Sequence, residues 1–474
     1  MSLSNTTTAA NYSAQAPTSQ PADPACNGLP TAGVAPPDLV TPTEQQTAAI
    51  RRIMSWYRNE TAHQQVFRLF GYAGTGKTTI TRMVIEELGL PIRTPLRRDD
   101  FDHQTGGAIF GAYTGKATLV MSRHGTPAAT VHALTYRLLT PDEAKTSQLQ
   151  DQIKQLETKQ PNLSSAERRY LSELRAQLAK VYAPRFVLNT ESVLCDVELI
   201  VLDEVSMIDE RMAIDLLSFG KPVLVLGDPG QLPPVRGQGY FTAADPDVML
   251  TEIHRQARNS PIIRLATLAR EGERIPFGNF DDGRWVQKVR RYNMAPERLL
   301  GAGQVIVGFN TTRRNLNVKM RHASGLTEAL PTGERDKIIV LKNRHDLGIV
   351  NGQFVTLADV TVVDDISLSA TVHTDDGRQI TTIEGEPANL PVYSGHFLDH
   401  VEYDRDRERR DYFDKNGMVE ATWGNAITCH KAQGSQWPNV IVVDERFGRT
   451  SDQYRRWLYT AITRAEGGLR IYAD

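Results

Sequence analysis

Short apolar runs alternate with helix-like patterns over two long stretches of the chain. The first stretch contains "GAIFGAYTG", "ELIVLDEVS" and "KPVLVLGDP", and the second contains "QVIVGFN", "VIVVDE" and "LRIYAD". Continuous apolar runs are typical of strands buried on both faces, as in a parallel sheet covered by helices. The pattern predicts an α/β fold with two parallel-sheet domains, one from residues 39–140 and 183–245 and one from residues 246–354 and 421–474.

Each predicted domain is interrupted by a segment of different character. Residues 141–182 are charged and lack glycine, and their apolar residues recur every three or four positions: Leu149, Ile153, Leu156, Leu171, Leu174 and Leu178. This spacing predicts two amphipathic helices with a turn at Pro161 and Asn162. The helical hairpin could be a wedge or guide for a polymer strand, or a solvated decoration of the first domain.

Residues 355–420 instead alternate with period two, at Ile366, Leu368, Ala370 and Val372, before the turn signal Asp376-Gly377. Such alternation predicts a small β barrel inserted in the second domain. Residues 1–38 are rich in Ser, Thr, Ala and Pro, so we expect a disordered tail that buries too little apolar surface to fold.

Composition changes this picture little. The chain has 474 residues and a formal net charge of −2, so any nucleic-acid surface must be a local channel. The 3 cysteines have no paired or metal-type spacing, which suits a reducing compartment. No apolar run has membrane-spanning length, and no basic region followed by a hydrophobic segment opens the chain. We therefore expect a soluble, cytoplasmic protein without membrane partners.

The stretch "RLFGYAGTGKTTIT" has the spacing of a phosphate-binding loop, with Gly71, Gly76, Lys77 and Thr78 in a strand-loop-helix context. The glycines let backbone N–H groups turn toward a polyphosphate at the helix N-terminus. Lys77 would neutralise the β- and γ-phosphates of ATP, and the Thr78 hydroxyl would ligate Mg²⁺. The alternative is a glycine turn with a chance lysine. The candidate ATP-binding residues of this loop are Gly71, Ala73, Gly74, Thr75, Gly76, Lys77, Thr78 and Thr79.

Further candidate catalytic residues follow later strands. Asp203 and Glu204 end a buried strand, where Asp203 would hold the metal and Glu204 would orient and deprotonate the attacking water. Gln231 could donate to a γ-phosphate oxygen or to that water. Arg255 and Arg464 in the second half could stabilise the charge on the transferring phosphoryl group, since a planar guanidinium suits it; a lone arginine would more simply form a surface ion pair.

Together these motifs resemble those of superfamily 1 (1B) helicases of the RecD-like and Dda-like branch over residues 41–474. "TEQQTAAI" resembles the glutamine motif, "GYAGTGKT", "LDEVSM" and "GDPGQLPPV" resemble motifs I to III, and "EIHRQ", "ITCHKAQGSQW" and "YTAITRA" resemble motifs IV to VI. The resemblance implies two RecA-like domains and an SH3-like β insert. It also implies that Gln46, rather than Gln45, reads the adenine. Close relatives carry a β-hairpin pin where helices are predicted here.

The same resemblance implies contacts to single-stranded DNA. The residues concerned are Thr114, Thr130, His132, Asn310, Thr428, His430, Gln433 and Ser435. Trp423 and Trp437 flank motif V and could stack on bases, although buried core aromatics are the commoner outcome.

The expected function is that of an ATP-dependent helicase or translocase that moves 5′ to 3′ on single-stranded DNA in replication, repair or recombination. Its expected partners are single-stranded DNA, duplex junctions and replication or recombination proteins, and the expected state is a monomer. Two alternatives stay open from the residues: a motor acting on RNA or on protein-coated strands, and a phosphate-loop ATPase that serves as a switch without unwinding.

Overall fold

A computed structural model describes most of the chain. The described residues are 12–13, 41–95, 105–123, 125–139, 143–159, 163–182, 185–233, 239–253, 259–281, 285–344, 347–375, 377–382, 386–398, 415 and 417–474. Arg255, the Pro161-Asn162 turn, Asp376 and most of the predicted tail lie outside these residues. None of the described helices is both long and apolar enough to cross a membrane.

The N-terminal part of the chain forms the following elements up to residue 250: β1 (Tyr12–Ser13), α1 (Glu44–Asn59), β2 (Val66–Gly71), α2 (Lys77–Glu87), β3 (Ile92–Arg93), β4 (Ala108–Ala112), α3 (Gly115–Arg123), β5 (Ala128–Thr130), α4 (Val131–Thr135), β6 (Tyr136–Leu139), α5 (Glu143–Glu157), α6 (Ser165–Tyr182), β7 (Arg185–Leu188), β8 (Leu199–Asp203), α7 (Glu210–Leu217), β9 (Val223–Gly227) and β10 (Val248–Leu250).

The C-terminal part continues with α8 (Pro261–Glu271), β11 (Gly278–Asn279), β12 (Val286–Arg290), α9 (Pro296–Leu299), β13 (Gln304–Val307), α10 (Asn310–Ala323), β14 (Ile338–Val340), β15 (Phe354–Val362), β16 (Ser367–Thr374), β17 (Thr381–Thr382), β18 (Asn389–Tyr393), α11 (Gly395–Leu398), β19 (Ala421–Trp423), β20 (Ala426–Thr428), α12 (Cys429–Ala432), β21 (Trp437–Val443), α13 (Ser451–Ile462) and β22 (Ala465–Ala473). Short 3₁₀ helices lie at Val193–Cys195, Val205–Met207 and Arg291–Asn293.

The first domain is built on a parallel sheet of seven strands in the order β10-β2-β9-β8-β4-β3, with β5 paired to β4. Its central strands are buried on both faces because helices α1, α2 and α3 cover one side and α4 and α7 the other. The predicted parallel sheet is confirmed. Strand β10 pairs with β2, so the sheet continues past the predicted domain boundary at residue 245.

The second domain contains a six-stranded sheet in the order β11-β12-β22-β21-β13-β20, in which only β11 runs antiparallel to its neighbour. Helices α8 and α13 pack on one face around the fully buried Trp457, and α10 packs on the other. The chain therefore repeats one architecture twice, which confirms the predicted α/β fold class with two RecA-like domains.

Between α4 and β8 the chain forms a helical hairpin on a ribbon. Helices α5 and α6 are present as predicted and share a core of their own: Leu149, Ile153, Leu156, Leu163, Leu171 and Leu174. Strands β6 and β7 pair antiparallel, from Tyr136 opposite Leu188 to Leu139 opposite Arg185. No pattern in the sequence predicts this ribbon, which joins the hairpin to the first domain.

The second insert is an antiparallel sheet in the order β18-β16-β15-β14-β19. Leu368, Ala370 and Val372 are fully buried, as their alternation predicts, whereas Ile366 lies just before β16. The sheet includes β14 and β19 and so exceeds the predicted limits 355–420. A bridge between Val392 and Val419 brings β18 near the start of β19, so the sheet curves back on itself. Its SH3-like character stays a prediction.

Only Gly424 and Asn425 separate β19 of this insert from β20 of the second domain. The side-chain amide of Gln304 donates to the carbonyls of both residues, at 3.0 and 3.1 Å. A Cβ on Gly424 would lie 2.8 Å from the Phe354 ring. The junction therefore has no room for a side chain larger than that of glycine. The insert is thus joined to the second sheet by a short, hydrogen-bonded connection.

Candidate nucleotide-binding site and domain interface

The loop between β2 and α2 has the backbone that a phosphate cradle requires. Gly74 and Gly76 both have φ of 79°, in the left-handed region that favours glycine, and Gly76 caps α2. A Cβ on Gly71 would lie 2.6 Å from Thr75 Oγ1 and 2.9 Å from Leu250 Cβ. Lys77 Nζ donates to the carbonyls of Gly71 and Tyr72, at 2.6 and 3.2 Å, so its ammonium group lies over the loop.

The two adjacent glutamines of α1 have different partners. Gln46 is buried and its amide donates to the Thr75 carbonyl at 2.9 Å, while its Oε1 accepts from the Thr43 amide at 2.9 Å. Gln45 instead bonds the backbone of Met249, Thr251 and Glu252. Gln46 therefore stabilises the phosphate loop through a hydrogen bond to its backbone. That Gln46 reads the adenine stays a prediction.

Asp203 ends β8 directly beside the phosphate loop. The Thr78 hydroxyl lies 3.3 Å from Asp203 Oδ2, and the Glu204 amide donates to Asp203 Oδ1 at 2.7 Å. Burial and the neighbouring Glu204 carboxylate raise the pKa of Asp203 to about 6. Glu204 has φ of 52°, an unusual conformation for a residue with a side chain. Two oxygen ligands suited to one divalent cation thus lie side by side.

Arg464 of the second domain faces these carboxylates. Its Nη1 lies 3.9 Å from Glu204 Oε1, and the guanidinium is held by the carbonyls of Thr460 and Ser435. The cleft between the domains has a volume of about 990 Å³ and is lined by residues of both, including Gly76, Lys77, Thr78, Thr79, Asp203, Glu204, Gln231 and Arg464. The predicted catalytic residues in the described part of the chain therefore share one crevice.

The loop after β9 is bound by the second domain at several points. Tyr459 donates its hydroxyl to Asp228 Oδ2 at 2.6 Å and accepts from the Ala73 amide at 2.8 Å. The Leu232 amide donates to Thr460 Oγ1 at 2.9 Å, and the Leu232 carbonyl accepts from the Gln433 amide at 2.9 Å. Burial raises the pKa of both Asp228 and Tyr459. Motif III is therefore bonded to motifs V and VI across the interface.

The predicted strand-contacting residues of the first domain lie where strands β4 and β5 lead into helices. The Thr114 hydroxyl accepts from the Ala117 amide, and that of Thr130 accepts from the Ala133 amide. The His132 ring packs edge-on against Phe186 of the ribbon, 4.2 Å between centroids. The two threonines stabilise helix starts and His132 packs against the ribbon. Contact of all three with DNA stays a prediction.

The corresponding residues of the second domain divide into two groups. Asn310 is exposed at the start of α10, and His430 lies 5.8 Å from the Phe447 ring. Burial lowers the pKa of His430. Gln433 and Ser435 are buried and bonded to Leu232 and Arg464, and Thr428 is buried at the end of β20. For these three buried residues a direct strand contact also stays a prediction.

The two tryptophans that flank motif V are packed. Trp423 is buried in the core of the β insert and donates its indole N–H to the Phe397 carbonyl at 3.1 Å. The Arg321 guanidinium covers its ring at 3.6 Å. Trp437 is half-buried and meets Phe354 edge-on at 6.4 Å. Trp423 is therefore a core residue rather than a base-stacking one.

The donor set fits ATP with a divalent cation. The loop supplies amides and Lys77 for phosphates, and Thr78 and Asp203 supply hard oxygen ligands. Gln231 is buried at the cleft, and its Oε1 lacks a hydrogen-bond partner among the described residues. An unpaired buried amide oxygen next to a polar cleft is the kind of group that a ligand or its water satisfies.

Two features of the interface have no recognisable pattern in the sequence. Tyr459 lies inside the quoted motif VI stretch, yet its pattern gave no sign of a bond to Ala73. Lys116 of α3 forms an ion pair with Asp375 of the β insert, although nothing in the sequence connects these distant positions. Both pairs depend on how the two domains dock, and local patterns do not report docking.

A phosphate loop on one parallel sheet, facing an arginine from a second sheet, defines a P-loop nucleotide-binding protein with two RecA-like domains. Comparison with known families agrees. The chain belongs to the AAA domain family, whose model matches residues 41–291, and residues 424–472 match the UvrD-like helicase C-terminal domain. Together with the RecD2 relative described next, these matches confirm the predicted resemblance to superfamily 1 helicases of the RecD-like kind.

The chain is also similar to an ATP-dependent RecD2 DNA helicase of Deinococcus radiodurans, with 28% identity over 291 residues. The match covers 56% of this chain and 35% of that protein, so the chain spans about a third of the length of the relative. Two solved structures are also similar. One shows two Pif1 helicases at forked double-stranded DNA, with 19% identity and a TM-score of 0.46, and the match covers 91% of this chain and 92% of that one. The other is Bacteroides Pif1 bound to single-stranded DNA, with 17% identity and a TM-score of 0.46, and the match covers 92% of each chain.

Proposed function

We propose that this chain is an ATP-dependent DNA helicase or translocase that moves on single-stranded DNA. The observation that carries the proposal is the position of Arg464, which reaches from the second domain to within 3.9 Å of Glu204 in the first. An arginine supplied across a cleft ties phosphoryl transfer to closure of the two domains. A nucleotide switch confined to one domain has no use for it.

The described residues divide the chemistry among them. Lys77 and the loop amides bind the β- and γ-phosphates, and Thr78 and Asp203 would hold Mg²⁺. The cation would supply positive charge next to the phosphates. Glu204 orients and deprotonates the attacking water, and Gln231 contacts that water or a γ-phosphate oxygen. Arg464, and Arg255 by the family resemblance, stabilise the charge on the transferring group, an effect worth about 10³-fold or more in rate.

Movement follows from alternate grip by the two domains. The candidate strand contacts Thr114, Thr130 and His132 belong to the first domain, and Asn310 and His430 belong to the second. If closure and opening alternate with hydrolysis, each cycle shifts one set along the strand. Opening one base-pair step costs about 1.4 kcal/mol, which is small against the free energy of ATP hydrolysis. Contacts to the strand backbone make binding salt-sensitive and nonspecific, as a motor requires.

The finer assignments rest on the family resemblance. They are movement from 5′ to 3′, a preference for DNA over RNA, action as a monomer, and a role in replication, repair or recombination with the proteins of those processes. The RecD2 similarity supports a DNA substrate, because that relative is described as a DNA helicase.

The first test is hydrolysis with and without single-stranded DNA. Lys77→Ala and Glu204→Gln should both abolish turnover, and Glu204→Gln should still bind ATP in a filter-binding assay. Lys319→Ala, an exposed lysine on α10, is the matched control and should behave as wild type. Wild-type hydrolysis that no polynucleotide stimulates would instead favour the switch.

The second test is strand separation on tailed duplexes. We expect unwinding of a DNA duplex with a 5′ single-stranded tail and little unwinding of one with a 3′ tail. The same pair made of RNA measures substrate preference. Faster unwinding from the 3′ tail would reverse the proposed direction, and greater activity on RNA would replace the proposed substrate.

A further inference from the structure

The Tyr459 side chain occupies the point where three functional segments meet. It projects from α13, the helix that leads to Arg464, and is 1% exposed. Its hydroxyl accepts a hydrogen bond from the Ala73 amide of the phosphate loop at 2.8 Å and donates one to Asp228 Oδ2 at 2.6 Å. One phenol therefore joins the phosphate loop, the loop after β9 and the helix that leads to the arginine.

The neighbouring contacts make this bond part of a continuous interface. Arg456 Nη1, one helical turn before Tyr459, donates to the Pro229 carbonyl at 2.9 Å, and Thr460 Oγ1 accepts from the Leu232 amide at 2.9 Å. Asp228 also accepts from the Gly230 amide at 2.9 Å, which closes its own loop. The loop at 228–232 is thus hydrogen-bonded along α13. Among these α13 residues, Tyr459 is the one that also bonds the phosphate loop.

The chemistry of the bond explains why a phenol is required. Asp228 is buried, and a buried carboxylate needs donors to remain charged. The Ala73 amide of the first domain also uses this hydroxyl, since it donates its hydrogen bond to Tyr459 of the second domain. A phenylalanine would keep the ring and its packing but leave the amide without its acceptor and the carboxylate without one of its donors, and unsatisfied buried groups are costly.

On these grounds, and resting on the proposed ATPase function, we propose that Tyr459 is a positioning residue for hydrolysis. Its hydroxyl fixes the phosphate loop and the loop carrying Gln231 relative to Arg464, so that the reacting groups are aligned only when the domains are docked. It contacts neither substrate nor metal in this role. Loss of the hydroxyl should therefore affect turnover more than binding of ATP or of the strand.

The test compares Tyr459→Phe with Tyr454→Phe in the full chain. Tyr454 lies on the same helix and donates to a carboxylate, Asp444, at 2.8 Å, but both partners belong to the second domain. We expect Tyr459→Phe to lower strand-stimulated kcat by about tenfold to a hundredfold, the loss typical of one hydrogen bond to a charged group. The KM for ATP and the half-saturating DNA concentration should stay within about threefold, while Tyr454→Phe should keep the wild-type kcat.

The inference would be overturned by an unchanged kcat in Tyr459→Phe, by a change in KM alone, or by an equal loss of kcat in Tyr454→Phe. Thermal melting of both variants checks that they are folded, and a kcat loss that follows only the folded fraction counts as a structural role and also overturns it. Absence of strand-stimulated hydrolysis in the wild type would contradict the proposed function itself. Failure of the two ideas is therefore distinguishable.

Discussion

At the scale of single residues, Gly71 is required by crowding rather than by an unusual φ. A Cβ there would lie 2.6 Å from Thr75 Oγ1 and 3.1 Å from the Leu250 carbonyl oxygen. We expect Gly71→Ala to lower the free energy of unfolding by about 1 to 3 kcal/mol, as overpacking does, and to weaken nucleotide binding. Urea unfolding and nucleotide titration measure the two effects.

Gly301→Ala is the control, because its Cβ would have only the Trp285 ring nearby, at 4.0 Å. It should leave both quantities near wild type. Equal losses in the two variants would mean that crowding at Gly71 is not the cause.

Residue identities in the site were predictable where a motif fixes both spacing and chemistry. Lys77, Asp203, Glu204 and Arg464 were all named from the sequence, and the structure brings them to one cleft. Gln46 shows what the sequence does not predict. Its position at a helix start indicates a polar contact, but it does not identify the Thr75 carbonyl as the partner of the Gln46 amide. Partners that are distant in sequence depend on tertiary docking, which no local pattern encodes.

At the scale of elements, the helical hairpin can be removed without opening another core, since the residues that pack in it are its own. Strands β6 and β7 end opposite each other at Leu139 and Arg185. Replacing residues 140–184 by Asn-Gly should close them as a two-residue hairpin. We expect strand-stimulated hydrolysis to survive and strand separation to fall, which paired ATPase and unwinding assays would measure.

Parallel loss of both activities would mean that the hairpin is a structural part of the first domain. A variant with Ala at Tyr170, an exposed residue of α6, tests the hairpin surface without deletion. It should reduce unwinding alone if the hairpin touches the duplex through that face.

A second element-scale prediction concerns Glu420, just before β19. Lys342 Nζ, Lys415 Nζ and His396 Nε2 lie 3.1 to 3.2 Å from its carboxylate oxygens. Burial raises the pKa of Glu420, but the hydrogen bond from His396 and the two lysines outweigh it and lower the pKa to about 2. The folded state therefore binds fewer protons than the unfolded chain, and this stabilisation is complete above the unfolded pKa and is lost as the pH falls toward 2.

We accordingly expect Glu420→Gln to lower the free energy of unfolding by about 2 kcal/mol near pH 7, with the difference from wild type shrinking below about pH 4.5. Urea unfolding of both proteins across this pH range measures it. Glu466→Gln, at an exposed position of β22, should show no such difference. A gap between wild type and Glu420→Gln that stays constant with pH would contradict the explanation.

Elements were predictable in proportion to the length of their patterns. Strands β2, β4, β8, β9, β13, β21 and β22 and the two hairpin helices follow directly from apolar periodicity. The ribbon β6–β7 was missed because each strand has only four residues, too few to distinguish from loop. Strand β10 has only three residues and was missed for the same reason. Because β10 pairs with β2, the first domain extends beyond its predicted end at residue 245.

At the scale of the whole molecule, Lys116 and Asp375 join the first domain to the β insert. The amine also faces the Phe354 ring at 5.6 Å, and the side chains are 11% and 21% exposed. Removing either residue of the pair leaves the other mostly buried charge without its nearest partner, whereas removing both does not. We expect Lys116→Met and Asp375→Leu each to be less stable than the double variant, by about 1 to 2 kcal/mol.

Unfolding of the four proteins in one denaturant series gives the coupling energy. Additive losses in the double variant would show that the two groups do not interact in solution. Arg123 lies 3.8 Å from Asp375 and could also contribute to the stability that Asp375 provides. Unfolding of Arg123→Ala measures that contribution separately from the contribution of Lys116.

The tight connection at Gly424 and Asn425 has a mechanical consequence. Because the Gln304 amide donates to both carbonyls and the Phe354 ring lies beside them, the β insert is fixed to the second sheet at this junction. We therefore expect the insert to turn together with the second sheet, so that any movement between the two domains is taken up at its contact with the first domain, where Asp375 meets Lys116.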